Sequence, residues 1–420
     1  MSKRPKTGNA AVSRLRRPAG RLRDVPIWSK LGLIMLVPTL ATIIVGVSGL
    51  IDHINEANNA ERARTMSVLS QAAGGLVDQL QNERSYAVLV KTTPNNIADH
   101  KRAQDAYKAE WAIVDAAKIP YAQQRAALDN LPVKVNTLLV RLDRNLEDLP
   151  ATRTQSYSGQ LNSDDVEKAY GGVINDLLNV RDASAQLAAD TTLGDHMRAA
   201  AAVARAKDYI AQQRDVGYEI LGAGDFTLSL RRKFLLTVTG YQIAEATLRS
   251  VGTDEEQRLF DRVVAGPQKR AATNYTEPLQ SQPDVNTTSS IPFNRDQWQT
   301  AMVGYNGLFR NVETQLDAQI VTEATALRDN VNRKVFVETS VLLGLLLLAI
   351  LFAWLVARSM ARSLRELRQG ALSVAQFGLP HAVNRLRDPT LHQSLTPAQV
   401  ADQVAEPLPV RSRDEFGQVT

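Results

Sequence analysis

The chain has 420 residues, 44% hydrophobic and 5% aromatic, with no cysteine. That length suits two or three domains, and the absence of thiols excludes a disulfide framework, a thiolate metal site and a cysteine nucleophile. The formal charge is +5 but uneven: residues 1–30 carry nine basic and one acidic group, residues 52–334 carry 32 and 36, and residues 335–420 carry eight and seven. The basic excess is therefore the property of one short arm and is no sign of nucleic-acid binding.

The arm, residues 1–30, is rich in Arg and Pro and reads as disordered. Residues 31–51 follow without a charge, and Thr339–Ala357 is a second uncharged stretch within residues 335–357. A bilayer core of ~30 Å needs about 20 apolar residues of helix, so both stretches are predicted transmembrane helices. A cleaved signal peptide is the alternative for the first, but its apolar run exceeds the roughly 7–15 residues of such a region, and no small-x-small site follows. Pro38 is tolerable inside a membrane helix. Arg14, Arg16, Arg17, Arg21, Arg23 and Lys30 precede the first span, and Arg358, Arg362, Arg365 and Arg368 follow the second. A Lys/Arg excess marks the cytoplasmic side, so both termini are predicted inside the plasma membrane and residues 52–334 outside. Trp28 and Trp354 fall at the inner interface, and the basic arm becomes a topology signal in contact with anionic lipid.

Residues 52–334 read as helix almost throughout, with apolar residues at helical spacing. Helices are expected over 58–92, 97–118 (stopping before Pro120), and 121–149 with a kink at Pro132 and an end at Pro150. Residues 151–162 read as a polar connection. Asn162 is expected to cap a helix running towards Leu193. Further helices are expected over 199–221, ending at Gly222-Ala223-Gly224, and over 227–251. Thr253 with Glu256 matches a capping box for a helix to Ala265. Residues 266–293 read as a long loop. Asn294 with Gln297 opens a last helix that runs unbroken into the second span. The fold class is all-α: one or two up-and-down bundles, whose first and last helices are continuous with the spans.

Two arginines lie on apolar stripes. Arg84 falls among Leu69, Ala73, Leu76, Val77, Leu80, Ala87 and Val88, in the segment Gln81-Asn82-Glu83-Arg84-Ser85-Tyr86. Arg214 falls among Val203, Ile210, Tyr218 and Leu221, in Gln212-Gln213-Arg214-Asp215. A buried guanidinium is costly unless paired, and its planar fork suits planar oxyanions. Two readings stand on the residues alone: internal pairing with Glu83, Asp215 or Glu219, or a small anion held between the arginines. Arg231-Arg232-Lys233 reads as a solvated face. Asp254-Glu255-Glu256 reads as the favourable charge of a helix start. His53, His100 and His196 lack metal-ligand spacing, and no catalytic constellation, metal site or cofactor site is expected.

The Gln-x-Glu-Arg pattern within Leu76 to Leu89, followed by a small residue, together with the Gln-Arg segment at Arg214, resembles the nitrate- and nitrite-sensing (NIT) domains over about residues 60–320. That family usually has glycine where this chain has Ser85, and glutamate where it has Gln213. The resemblance implies an all-helical, two-bundle sensor that holds nitrate or nitrite with Arg84 and Arg214 between helices.

After the second span, Met360, Leu364, Leu367, Ala371 and Val374 form an a/d seam; an amphipathic helix lying on the membrane is the alternative. Arg358 to Leu367 resembles the first helix of HAMP linkers, although Ser363 stands where those often have proline. A connector with five prolines follows, and Asp414-Glu415-Phe416-Gly417 resembles the start of the second HAMP helix. HAMP linkers are parallel dimers, so the resemblance implies a homodimer and makes residues 358–420 a truncated linker. NIT followed by HAMP most often precedes a histidine kinase, particularly in actinobacteria; no kinase motif occurs up to Thr420, so the output is expected beyond it. The expected function is the input half of a sensor histidine kinase that acts on a response regulator. The alternatives are a chemoreceptor or cyclase input module, or a membrane-anchored bundle that binds a partner protein.

Overall fold

The computed structural model describes residues 27–93, 97–128, 131–188, 190–281, 291, 293–380 and 383. Among these it is all-α, with no strand. The helices are α1 (Ile27–Thr92), α2 (Ile97–Ala126), α3 (Val133–Glu147), α4 (Leu149–Tyr157), α5 (Ser163–Leu187), α6 (Thr191–Ala223), α7 (Leu228–Val251), α8 (Asp254–Val263), α9 (Pro267–Ser281) and α10 (Arg295–Ser373). A π-helical turn, Val374–Gly378, follows α10. The chain forms two compact units: His53–Val335, and the segments up to Asp52 and from Phe336 onward. Both α1 and α10 contribute residues to each unit.

Helix α6 is the centre of the His53–Val335 unit. It is apolar nearly all round, from Ala199 to Ala204 and on through Ile210 and Val216, and is buried along most of its length. A helix with that pattern must be surrounded by others. It lies against α5 and α7, and α3 lies against α5. Trp298, Tyr107, Tyr170, Phe234 and Phe309 are fully buried in the one contiguous core. Both predicted stripes face that core, Leu221 alone being half-buried.

The helix starts follow their polar caps. Asn162 Oδ1 accepts from Asp165 N at 2.9 Å, Thr253 and Glu256 form the reciprocal capping box, and Asn294 and Gln297 exchange two bonds of 2.9 and 3.0 Å. Helix α6 ends on Gly224 at φ 68°, a left-handed position suited to glycine.

Several boundaries differ from the sequence expectation, each for a local reason. Helix α2 runs through Pro120, because the ring and Ala116, whose carbonyl loses its amide partner, are both exposed, so water can replace the missing bond. Pro150 opens α4 instead of ending a helix, since the first turn has no amide to lose; α4 thus occupies much of the predicted polar connection. Asp190, accepting from Leu193 N at 2.8 Å, separates α5 from α6 eight residues earlier than expected. Residues 267–281 are helical, although composition suggested loop.

Residues 31–51 lie within α1, and the helical run Arg295–Gly378 is long and apolar enough to cross a bilayer. Met360, Leu364, Leu367 and Ala371 lie on α10, and Val374 begins the π-helical turn. The remaining connector and Asp414-Glu415-Phe416-Gly417 lie outside the described residues, as does the arm up to Pro26.

Two ionic clusters tie α10 to the bundle. In the first, Glu313 receives Lys207 Nζ at 2.8 Å and Arg310 at 3.0 Å, with Arg181 at 3.4 Å. Arg181 also forks onto Asp317 at 2.8 and 3.1 Å and donates to the Ser70 carbonyl at 2.7 Å. Asp78 on α1 takes the other side of Lys207 at 2.9 Å. In the second, His196 Nδ1 lies 2.9 Å from Glu256 and Nε2 lies 3.8 Å from Glu323 on α10. Burial lowers the basicity of this ring, but Glu256 and Glu323 more than offset it, so its pKa is raised above the ordinary 6.5. A raised cation pKa contributes stability that is full below about pH 6.5 and is lost as pH rises through the folded value. His196→Gln is therefore expected to flatten the stability profile between pH 6 and 8. Denaturation midpoints across that range check it, and an unchanged slope would refute the assignment.

Candidate anion site between α1 and α6

The Gln-x-Glu-Arg segment lies in α1, with Gln81 and Arg84 bonded to α6 and Glu83 to α4 and α5. Most of its polar groups are engaged, the buried exceptions among the described residues being Gln81 Oε1 and Arg84 Nη2. Gln81 donates to Asp208 at 2.9 Å. Glu83 receives a two-pronged bond from Arg153 at 2.9 and 2.8 Å, and Tyr170, itself 2.7 Å from the Tyr107 hydroxyl, donates to it at 2.5 Å. Glu83 is thus the partner of Arg153 and not of either candidate arginine. Glu219 is likewise taken by Lys233, which also pairs with Glu167 and Asp164, so Lys233 is no free solvated cation.

The two candidate arginines are brought together through Asp215. Arg84 Nε donates to Asp215 Oδ2 at 2.7 Å and its Nη1 to Asp208 at 3.3 Å. Ser85 donates to the other Asp215 oxygen and accepts from Arg214 Nε at 2.9 Å. The serine that stands in place of the family's glycine is therefore the link in an Arg84–Asp215–Ser85–Arg214 chain. Burial raises the Asp215 carboxyl, opposed by Arg84 and then Arg214. The Arg84 guanidinium is held protonated, its acids outweighing its desolvation.

The arginines differ in what they still need. Arg84 is fully buried, yet its Nη2 has no hydrogen-bond partner among the described residues. Arg214 is 3% exposed and makes no ion pair among the described residues. Its partners are neutral: Ser85, Asn82 Oδ1 at 3.1 Å and the Gln81 carbonyl at 3.1 Å. It lines a cavity of about 110 Å³ with Asn82, Ser85, Tyr86, Glu110, Tyr218 and Gln299. One water needs only about 10–15 Å³ of such space, so a planar anion of four heavy atoms has room. Burial raises the Tyr218 phenol well above its usual value, which keeps it a neutral hydrogen-bond donor.

Helix α10 reaches this site directly. Trp298 Nε1 donates to the Arg214 carbonyl at 2.9 Å, and Gln299 lines the cavity. Sequence reasoning found Arg84, Arg214 and Asp215 but missed Asp208, Glu110 and Trp298. Asp208 and Lys207 interrupt an alanine-rich run on α6, which is the signal that could have pointed to them. Glu110 lay on a helix with no distinguishing motif.

An all-α bundle with buried arginines between helices is the setting into which comparisons with known proteins fit. Residues 75–321, more than half of the chain, match the family model described as nitrate and nitrite sensing, and the chain belongs to this NIT family. A solved structure, described as that of the NasR transcription antiterminator, shares the fold at a TM-score of 0.57 and 15% identity, covering 85% of this chain and 92% of that one. No curated protein matches the chain.

Proposed function

We propose that the chain is the input portion of a membrane receptor that senses nitrate or nitrite, held by Arg84 on α1 and Arg214 on α6. Arg214 carries the reading: it is a buried cation with only neutral partners, facing a cavity of small-anion size. A buried guanidinium without a hydrogen-bonded ionic partner is costly, and a planar oxyanion would supply both that partner and acceptors for the fork. The unsatisfied Nη2 of Arg84 supports the same conclusion.

Signalling requires differential affinity for two arrangements of the helices. Both α1 and α10 carry residues of the site and an apolar stretch, so a ligand-dependent shift of either helix would be passed on. The two uncharged spans and their Arg/Lys flanks support a two-pass placement in the plasma membrane with both termini cytoplasmic. They favour a receptor over the transcription antitermination of the structural relative, which is said of that protein alone. A HAMP-like linker, a homodimer, and a histidine kinase output acting on a response regulator complete the reading. A chemoreceptor or cyclase output shares the same input.

The test is calorimetric titration of the purified full chain in detergent with sodium nitrate, nitrite and chloride. Saturable nitrate or nitrite binding is expected, with chloride inactive. Arg214→Gln, which removes the charge but keeps a polar side chain, should weaken binding by about 100-fold or more, the usual loss when a buried charge partner is removed. Arg84→Lys, which loses the fork but retains the charge near Asp215, should weaken it less. Full binding by a folded Arg214→Gln chain would refute the site.

A further inference from the structure

Glu110, on α2, lines the same cavity as Arg214 and is only 7% exposed. The carboxyl takes part in no hydrogen bond or ion pair among the described residues. The groups facing it are otherwise committed. On α1, Glu83 is neutralised by Arg153 and Asp78 by Lys207. The α10 side contributes the neutral Gln299, and Tyr86 and Tyr218 contribute phenols. Arg214 on α6 is the one cation facing Glu110 that has no ion pair of its own among the described residues.

Before an anion binds, the Glu110 carboxylate is therefore the nearest acid facing Arg214 in this cavity without its own ion pair among the described residues. An entering anion would face a second negative charge in a confined, largely desolvated space, where like charges repel strongly. We infer that anion binding is coupled to proton uptake by Glu110, so that this carboxyl serves as an internal competitor when ionised and as a neutral donor to the bound anion when protonated. The inference rests on the anion reading above. Burial already raises the Glu110 carboxyl, Glu83 adds to that, and Arg214 opposes it; a bound anion would raise it further.

The sign follows from linkage. The bound state holds more protons than the free state between the two Glu110 pKa values, so affinity falls as pH rises through that window, by about tenfold in all, and is flat below it. The experiment is calorimetric titration of the full chain with sodium nitrate from pH 5 to 8, in two buffers of different ionisation enthalpy. The wild-type chain should take up a net fraction of a proton per nitrate, greatest at a pH between the two Glu110 values; a tenfold coupling is one pKa unit and so about half a proton at most. Glu110→Gln should bind nitrate roughly tenfold tighter at pH 8, a coupling of ordinary size, with no proton uptake and no pH slope. Glu110→Asp should keep the slope. Equal affinity and no uptake in both wild type and Glu110→Gln would overturn the inference and leave the anion site standing. No nitrate binding by any variant at pH 5 would remove the site and the inference together.

Discussion

Replacing Glu313 with alanine is expected to lower the unfolding free energy of the full chain by about 3–5 kcal/mol, the usual cost of breaking a buried ion pair from one side. Glu313 is completely buried on α10 and faces Lys207, Arg181 and Arg310. Lys207 and Arg181 are also completely buried, so removing the carboxylate leaves charge that water cannot reach. Lys207 keeps Asp78 and Arg181 keeps Asp317, which limits the loss to partial uncoupling. Burial works against ionisation of Glu313, but Lys207 and then Arg181 win, holding its carboxyl down to about 2. A depressed acid pKa contributes stability present above the unfolded value near 4.5 and lost as pH falls through about 2. The measurement is urea unfolding followed by helical circular dichroism at pH 7 and pH 3. The variant should lose most at pH 7, and the gap to wild type should narrow in acid. A paired Glu313→Met, Lys207→Met exchange should cost much less, because it removes opposite charges together. A loss below about 1 kcal/mol for Glu313→Ala would show that the cluster is hydrated.

These ionic clusters mark the boundary of what the sequence discloses. Helical periodicity placed Leu69, Leu76, Leu80, Val203 and Ile210 inward, because apolar burial is fixed by spacing on a single helix. Caps at Asn162, Thr253 and Asn294 were legible for the same reason, each being local to four residues. The prolines were misread because Pro120 and Pro150 depend on whether the affected carbonyl meets water or begins a helix, which tertiary placement decides. Arg84 and Arg214 stood out as charges on apolar stripes. Their surroundings did not, since Asp208 bonds Arg84, and Glu110 lines the Arg214 cavity, from helices distant in the chain. The candidate pairing of Arg84 with Asp215 held, whereas Glu83 belongs to Arg153 and Glu219 to Lys233. The Arg214–Glu110 cavity exists only where α1, α2, α6 and α10 meet, and no segment alone carries it.

Gly217→Ala is expected to destabilise the chain by about 3 kcal/mol, at the upper end of the cost of overpacking, and to weaken nitrate binding with it. Gly217 sits one turn past Arg214 on α6, where a Cβ would stand 2.0 Å from Trp298 Cε2 and 2.2 Å from its Nε1. The indole cannot yield easily. It is completely buried, stacks on Phe293 at a centroid distance of 4.5 Å, and donates to the Arg214 carbonyl. Displacing it would shift Gln299, the next residue, out of the cavity wall and loosen the hold of α10 on the arginine. Gly172→Ala in α5 is the control, because nothing lies within 4 Å of its Cβ position and alanine is the better helix former. Thermal unfolding and tryptophan emission check the pair: Gly217→Ala should unfold at lower temperature with a more solvated emission, while Gly172→Ala should match or exceed wild type. If Gly217→Ala proved as stable as the control, the close seating of Trp298 on α6 would be wrong, and with it the route by which α10 senses the state of Arg214.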